Sequence, residues 1–239
     1  MERLQKRIAS VGYCSRRKAE ELITKGLVEV NGEVVTKLGT TVKPGDVISV
    51  EGNILDNAKN YEYYLLNKPQ GVVTTTSDEK GRKTVIDLID TDARIYPVGR
   101  LDYDTTGALI LTNDGELANL LASPKSMVDK KYIVKVKGFV TIGDIQRLRK
   151  GVIIDGIMTS RARVKLKSAD KIKETSIVDI TIHEGRNHQV KKMFEVLGYK
   201  VIKLRREEYA FLNLKGLMPG EYRPLTVKEV KVLYSLCKK

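Results

Sequence analysis

A chain of 239 residues, 41% hydrophobic and 31% charged, has room for one sizeable core and a small extra module, and no apolar run nears the roughly 18 residues of a membrane span. Lys plus Arg number 43 against 30 Asp plus Glu, so the net charge of +13 points to a polyanion, nucleic acid before an acidic membrane surface. The start, MERLQKRIAS, is charged from its second residue and lacks the apolar core of a secretory signal, so a cytoplasmic protein is expected, while Cys14 and Cys237 form no CxxC pair and leave no disulfide framework or cysteine zinc site.

The first 60 residues predict a compact module. RLQKRIASVG places Leu4, Ile8 and Val11 at helical spacing before Gly12, and SRRKAEELITKG predicts a second helix from an N-cap at Ser15 to Gly26. LVEVNGEVV then turns at Asn31-Gly32 as a hairpin, and KPGD precedes the strand VISVEG. Arg16, Arg17 and Lys18 occupy the first turn of the second helix, where the helix dipole disfavours cations and a bound phosphate would reverse the penalty; a solvated basic face is the plainer alternative. This arrangement, ending in KAEELITKGLVEVNG, resembles the small RNA-binding domain shared with the fourth small-subunit ribosomal protein. Polar GNILDNAKN follows, giving a first domain at 1–56, a linker at 57–60 and a larger domain at 61–239.

In the larger domain YEYYLLN, GVVTTT, ALILT, KKYIVKVKG, RARVKLKS and TSIVDITIHE predict strands. DGELANLLAS, TIGDIQRLRK, NHQVKKMFEVLG and TVKEVKVLYSL predict helices. Strands follow one another more often than they alternate with helices, which predicts an α+β fold with a mixed, mostly antiparallel sheet.

No dinucleotide loop or GxxxxGK[ST] offers a nucleotide a seat, and HEGRNH spaces its histidines five apart rather than the four of a zinc-binding helix. No nucleophile-elbow GxSxG supports a serine triad. What remains is GRLDYDTTG, whose Gly99 and Gly107 frame a loop running into the apolar ALILT and holding Asp102 rigidly. On the pattern alone turn-capping outweighs catalysis, and Asp104 and Asp114 both read as turn or cap residues.

GRLDYDTTGALILTNDGELANLL resembles the central motif of the bacterial ribosomal RNA pseudouridine synthases, which convert uridine to its C-glycoside isomer, and resembles their large-subunit type more than their small-subunit type. LLNKPQGVVTT before it, and DKKYIVKVKG, IHEGRNHQVKKM and LMPGEYRPLT after it, match in order, so the resemblance spans nearly the whole chain. It implies Asp102 as the catalytic aspartate, Arg186 as its ion-pair partner and Tyr132 as the ring that stacks on the target base, with no cofactor and no metal. It further implies ribosomal RNA as partner, no membrane and a monomer, with Arg100, Lys191 and Lys192 as RNA contacts beside Arg16, Arg17 and Lys18. Without the motif Tyr132 reads as core, sharing a strand face with Val134 and Val136, and Arg186 as a phosphate-binding arginine. Two departures stand out: Ala108 after Gly107, and His188 and lysines in NHQVKKM where the family commonly has arginine. Neither is expected to touch the three assigned residues.

A non-catalytic RNA-binding assembly protein is the rival from another class. A glycosidase is a third reading, weakened by 6% aromatics, no Trp and the positive charge.

Overall fold

The structure, a computed structural model, describes residues 1–56 and 60–237. It forms two compact units: Met1–Glu62 with the short returns Asp92–Arg94 and Asn113–Gly115, and the rest of the chain from Tyr63. The expected linker falls mainly on 57–59, outside the described residues.

In the first unit β1 (Glu2–Arg3) leads into α1 (Leu4–Ser10), and α2 (Arg16–Thr24) starts where the Ser15 hydroxyl accepts the Lys18 N–H at 3.1 Å. β2 (Val28–Val30) and β3 (Glu33–Val34) turn over Asn31 and Gly32, both at positive φ as a two-residue hairpin requires. β4 (Thr41–Val42) pairs with β1, and β5 (Ile48–Val50) with β2. Leu4, Ile8, Ala19, Ile23, Val28 and Val50 form the core. Within the polar stretch after residue 52, β6 (Asn53–Ile54) pairs back onto β5, and Leu55 is buried in this core.

The second unit is built on one large sheet. Its elements are β7 (Tyr63–Lys68), β8 (Tyr96–Pro97), β9 (Thr106–Thr112), α3 (Gly115–Ala122), β10 (Lys130–Lys137), α4 (Ile142–Lys150), the hairpin β11 (Ile153–Ile154) and β12 (Ile157–Met158), β13 (Arg163–Asp170), β14 (Thr175–Ile182), α5 (Gln189–Glu195), β15 (Val201–Tyr209), β16 (Leu212–Asn213), β17 (Tyr222–Pro224) and α6 (Val227–Cys237). The order across the sheet is β13-β14-β10-β15-β9-β7-β17, antiparallel except where β15 meets β9. The fold is thus α+β with a mostly antiparallel sheet. Ala108, Ile110, Leu117, Leu121, Tyr209 and Leu233 anchor a core between the sheet and helices.

Two elements differ from the sequence reading. GVVTTT makes no strand: Val73 forms an isolated bridge to Thr84, and the Thr74 hydroxyl donates instead to the Leu101 carbonyl at 2.6 Å. The longest strand, β15, is absent from the reading because VIKLRREEY is crowded with charge, yet Leu204, Arg206 and Tyr209 are all buried.

Candidate active site

The loop from Gly99 to Thr105 joins β8 to β9 and carries Asp102 at its tip. Its backbone is gripped from the NKPQGVVTT segment: the Gly71 N–H donates to the Tyr103 carbonyl at 2.9 Å, Thr74 holds Leu101, and Lys68 Nζ donates to the carbonyls of Pro69, Asp102 and Thr105 at 3.1, 3.0 and 3.0 Å. Lys68 is fully buried, and desolvation lowers its pKa to about 8. Three carbonyls at near-equal distance suit the three N–H bonds of an ammonium. The loop therefore delivers the carboxylate of Asp102 on a fixed backbone while leaving its side chain 30% exposed.

Two side chains hold that carboxylate. Lys191 Nζ lies 2.9 Å from Asp102 Oδ2 and 2.6 Å from Asp104 Oδ1, and His188 Nε2 lies 3.4 Å from Asp102 Oδ1. His188 is the N-cap of α5 at φ 52, and Lys191 follows three residues later on the same helix face. Desolvation works to lower the Lys191 pKa, but its bonds to Asp104 and Asp102 outweigh it and raise it. Through the same bond Lys191 lowers the Asp104 carboxyl.

Among the described residues Arg186 makes no ion pair with Asp102 in this structure. Its guanidinium donates to the carbonyls of Ile157 and Met158 at 3.1 and 2.8 Å and lies 3.4 Å from Glu184 Oε1, so its forked face is spent on β12 and on its own loop. Glu184 in turn accepts from the Ser160 hydroxyl and from Gln189 Nε2, bonds that hold its carboxyl below the usual range although burial opposes this. Arg186 thus shapes the turn that starts α5, and α5 presents the ion-pairing group. The departures at His188 and Lys191 do touch the assigned aspartate, contrary to expectation; the signal was their three-residue spacing.

Asp102 stands at a pocket of about 610 Å³, within the second unit, also lined by Arg100, Tyr132, Arg186, Leu204 and Arg206. Tyr132 is 8% exposed and points with Lys130, Val134 and Val136 to the buried face of β10. Opposite it on β15 is Arg206, which the sequence reading passed over; its Nε donates to the Ala108 carbonyl at 2.6 Å, and Nη1 makes a long 3.5 Å contact with the Tyr132 hydroxyl. So the other departure, Ala108, contributes through its backbone.

Of the expected RNA contacts, Arg100 is exposed at the pocket and makes no ion pair among the described residues, Asp104 being taken by Lys191. Lys192 reaches Asp155 at 2.6 Å. Arg16, Arg17 and Lys18 are all exposed on the first unit, with Lys18 Nζ 3.3 Å from Glu21. Among the described residues no group of three or more His, Cys, Asp or Glu side chains is placed to hold a metal, and no helix is long and apolar enough to cross a membrane.

A carboxylate fixed by an ammonium and an imidazole, at the rim of an aromatic-floored pocket, can act as nucleophile or base on a ring drawn into that pocket. Known proteins resemble the chain over nearly its whole length. The sequence model of the RNA pseudouridylate synthase family matches residues 62–196, and that of the S4 domain matches residues 2–48. The chain is 54% identical over 237 residues to the ribosomal large subunit pseudouridine synthase B of Bacillus subtilis (strain 168), covering 99% of this chain and 97% of that protein. It is 38% identical to the dual-specificity RNA pseudouridine synthase RluF of Escherichia coli (strain K12), covering 98% and 79%. A crystal structure of a pseudouridylate synthase superposes with a TM-score of 0.69 at 35% identity, over 98% of this chain and all of that one.

Proposed function

Because the chain belongs to the RNA pseudouridine synthases, we propose that it converts a specific uridine of large-subunit ribosomal RNA to pseudouridine, with Asp102 as the reacting group. One observation carries the assignment: the Asp102 carboxylate is held by Lys191 at 2.9 Å and by His188 while its backbone carbonyl is tied to buried Lys68. A carboxylate so fixed is held in one orientation, as the reaction requires of a group that attacks the nucleoside or removes its proton. The reaction breaks the C1′–N1 bond, turns the base and rejoins it through C5, whose proton is lost as N1 gains one. Atoms and electrons balance within the nucleotide.

Tyr132 offers its ring to a uridine drawn out of its stack, compensating for part of the lost stacking. Arg100 at the rim, with Arg16, Arg17 and Lys18 on the S4-like unit, takes phosphates of the surrounding RNA. Arg186 acts as a positioning residue through β12 and Glu184. The large-subunit choice is supported by the relative at 54% identity. A monomeric, cytoplasmic enzyme is the reading that accompanies it.

The test is to incubate wild-type protein and Asp102→Asn with unmodified ribosomal RNA, free and in subunit particles, and to map pseudouridine by base-specific chemistry. Conversion of a large-subunit uridine by the wild type alone, with RNA binding retained in the variant, is the expected result. Conversion in small-subunit RNA would move the substrate; equal activity of Asp102→Asn would remove Asp102 from the chemistry.

A further inference from the structure

The pocket floor carries two buried basic side chains that form no ion pair among the described residues. Arg206 is 2% exposed and Lys130 8%, yet among the described residues neither has a carboxylate within ion-pair distance. Arg206 Nε is satisfied by the Ala108 carbonyl, whereas its Nη2 is buried with no hydrogen-bond partner among the described residues. Among the described residues Lys130 Nζ donates to the carbonyls of Val128 and His183, at 3.3 and 3.0 Å. The two residues are next-but-one neighbours of the same sheet patch: Tyr132 faces Arg206, Lys130 faces Tyr209, and both cations lie against the Tyr209 ring at 5.0 and 5.5 Å.

Burying a charge is costly, and folded proteins ordinarily meet the cost with a carboxylate. Here the alternation of β10 turns Lys130 onto the same buried face as Val134 and Val136, and the strand beside it adds a guanidinium. Burial first, and the neighbouring Arg206 second, lower the Lys130 pKa to about 8, although the charge of Asp129 works against them. Such a floor favours whatever brings negative charge into the pocket.

We propose that Arg206 and Lys130 stabilise the negative charge that the uracil acquires during the reaction. The inference rests on the uridine-isomerising reading above. When C1′–N1 breaks, its electron pair leaves with the base and spreads over O2 and O4. If the Asp102 carboxylate adds at C6 instead, the displaced pair reaches O4. By either route the pyrimidine becomes an anion before C5 bonds to C1′ and the C5 proton is lost, and no oxidant or co-substrate enters. The two cations act through the low-dielectric pocket with the field already oriented, so they need not move as the charge develops.

The test compares a target RNA carrying uridine with the same RNA carrying 5-fluorouridine at the modified position. Fluorine withdraws electrons and makes the base a better-stabilised anion. Single-turnover loss of the N-glycosidic linkage is read by nuclease digestion and nucleoside chromatography for wild type, Arg206→Gln, Arg206→Lys and Lys130→Gln. Arg206→Gln and Lys130→Gln are expected to lose about 100-fold on uridine and clearly less on 5-fluorouridine, with Arg206→Lys recovering much of the loss. Equal losses on both bases, or none, overturn the proposal, because a merely structural role would not respond to the leaving base. Should Arg206→Gln fail to fold, by circular dichroism and RNA binding, Lys130→Gln decides. A wild type inactive on every ribosomal RNA would instead overturn the enzyme reading itself.

Discussion

Nζ of Lys191 lies 2.9 Å from Oδ2 of Asp102, and this contact joins the start of α5 to the loop before β9 across 89 residues of chain. Lys191→Met leaves the carboxylate with His188 alone, so single-turnover conversion is expected to fall about 100-fold, about 2.7 kcal/mol of transition-state stabilisation. Lys191→Arg keeps the charge and is expected to retain activity within about tenfold. If Lys191→Met converts uridine at the wild-type rate, the pair does not orient Asp102. Arg186→Gln is expected to act differently, loosening β12 and the 183–188 turn and raising KM more than it lowers kcat.

Lys68 sits at the other end of the same loop. Replacing it with Met removes the shared donor of three carbonyls, and each acceptor left buried costs about 1–3 kcal/mol, so denaturant unfolding should show a loss of several kcal/mol, about 3 or more. Its pH dependence separates this from simple cavity formation. Folding lowers the Lys68 pKa from 10.5 to about 8 through desolvation, so the folded protein releases this proton first. Between those values the unfolded chain binds more protons and stability gains with rising pH. The stability gap between wild type and Lys68→Met is therefore expected to widen from pH 7.5 to 9.5. A gap that stays constant would mean that Lys68 is not desolvated.

The elements that the sequence made legible were those with clean local signals. Ser15 and the Asn31-Gly32 pair announced a helix start and a turn, and Lys130–Lys137 alternated visibly, so that Tyr132 could be placed on its face. β15 stayed hidden because its inward positions include Arg206, a charged residue that no period-2 hydrophobic pattern counts. Arg186 drew the assignment from the family resemblance, since on the residues alone it reads as a phosphate-binding arginine. His188 stands at positive φ as the N-cap of α5, and Lys191, three residues on, reaches Asp102. Neither the φ nor the three carbonyls that absorb Lys68 can be read from spacing.

Gly107 explains why the loop must end in glycine. Its φ is 112, a conformation that side chains rarely adopt, and a Cβ there would collide with the backbone carbonyl of Arg206 on the adjacent β15. The close approach brings Ala108 to Arg206 Nε. Gly107→Ala is expected to separate β9 from β15, costing about 3 kcal/mol or more and lowering conversion even where folded protein is recovered. A thermal midpoint and activity near those of the wild type would show that the two strands can part without consequence.

The three cations at the start of α2 set stability against binding. Arg16, Arg17 and Lys18 stand in the first helical turn with no acidic residue there, so the positive end of the helix dipole opposes them while Ser15 caps the helix. The Lys18–Glu21 pair is exposed and contributes little. Replacing all three with Ala should leave the unfolding midpoint unchanged or raise it, since each removal relieves about 0.3–1 kcal/mol of unfavourable dipole interaction. RNA affinity should move the opposite way. Every RNA phosphate that is no longer neutralised lowers the slope of log affinity against log salt by about 0.7–0.9, so three such phosphates would take about 2–3 from it. Filter binding of ribosomal RNA transcripts across a salt series, beside thermal unfolding of the same variant, measures both. A variant that is equally or more stable and binds RNA with a shallower salt slope identifies the cluster as a phosphate site, whereas an unchanged slope assigns it to a solvated face.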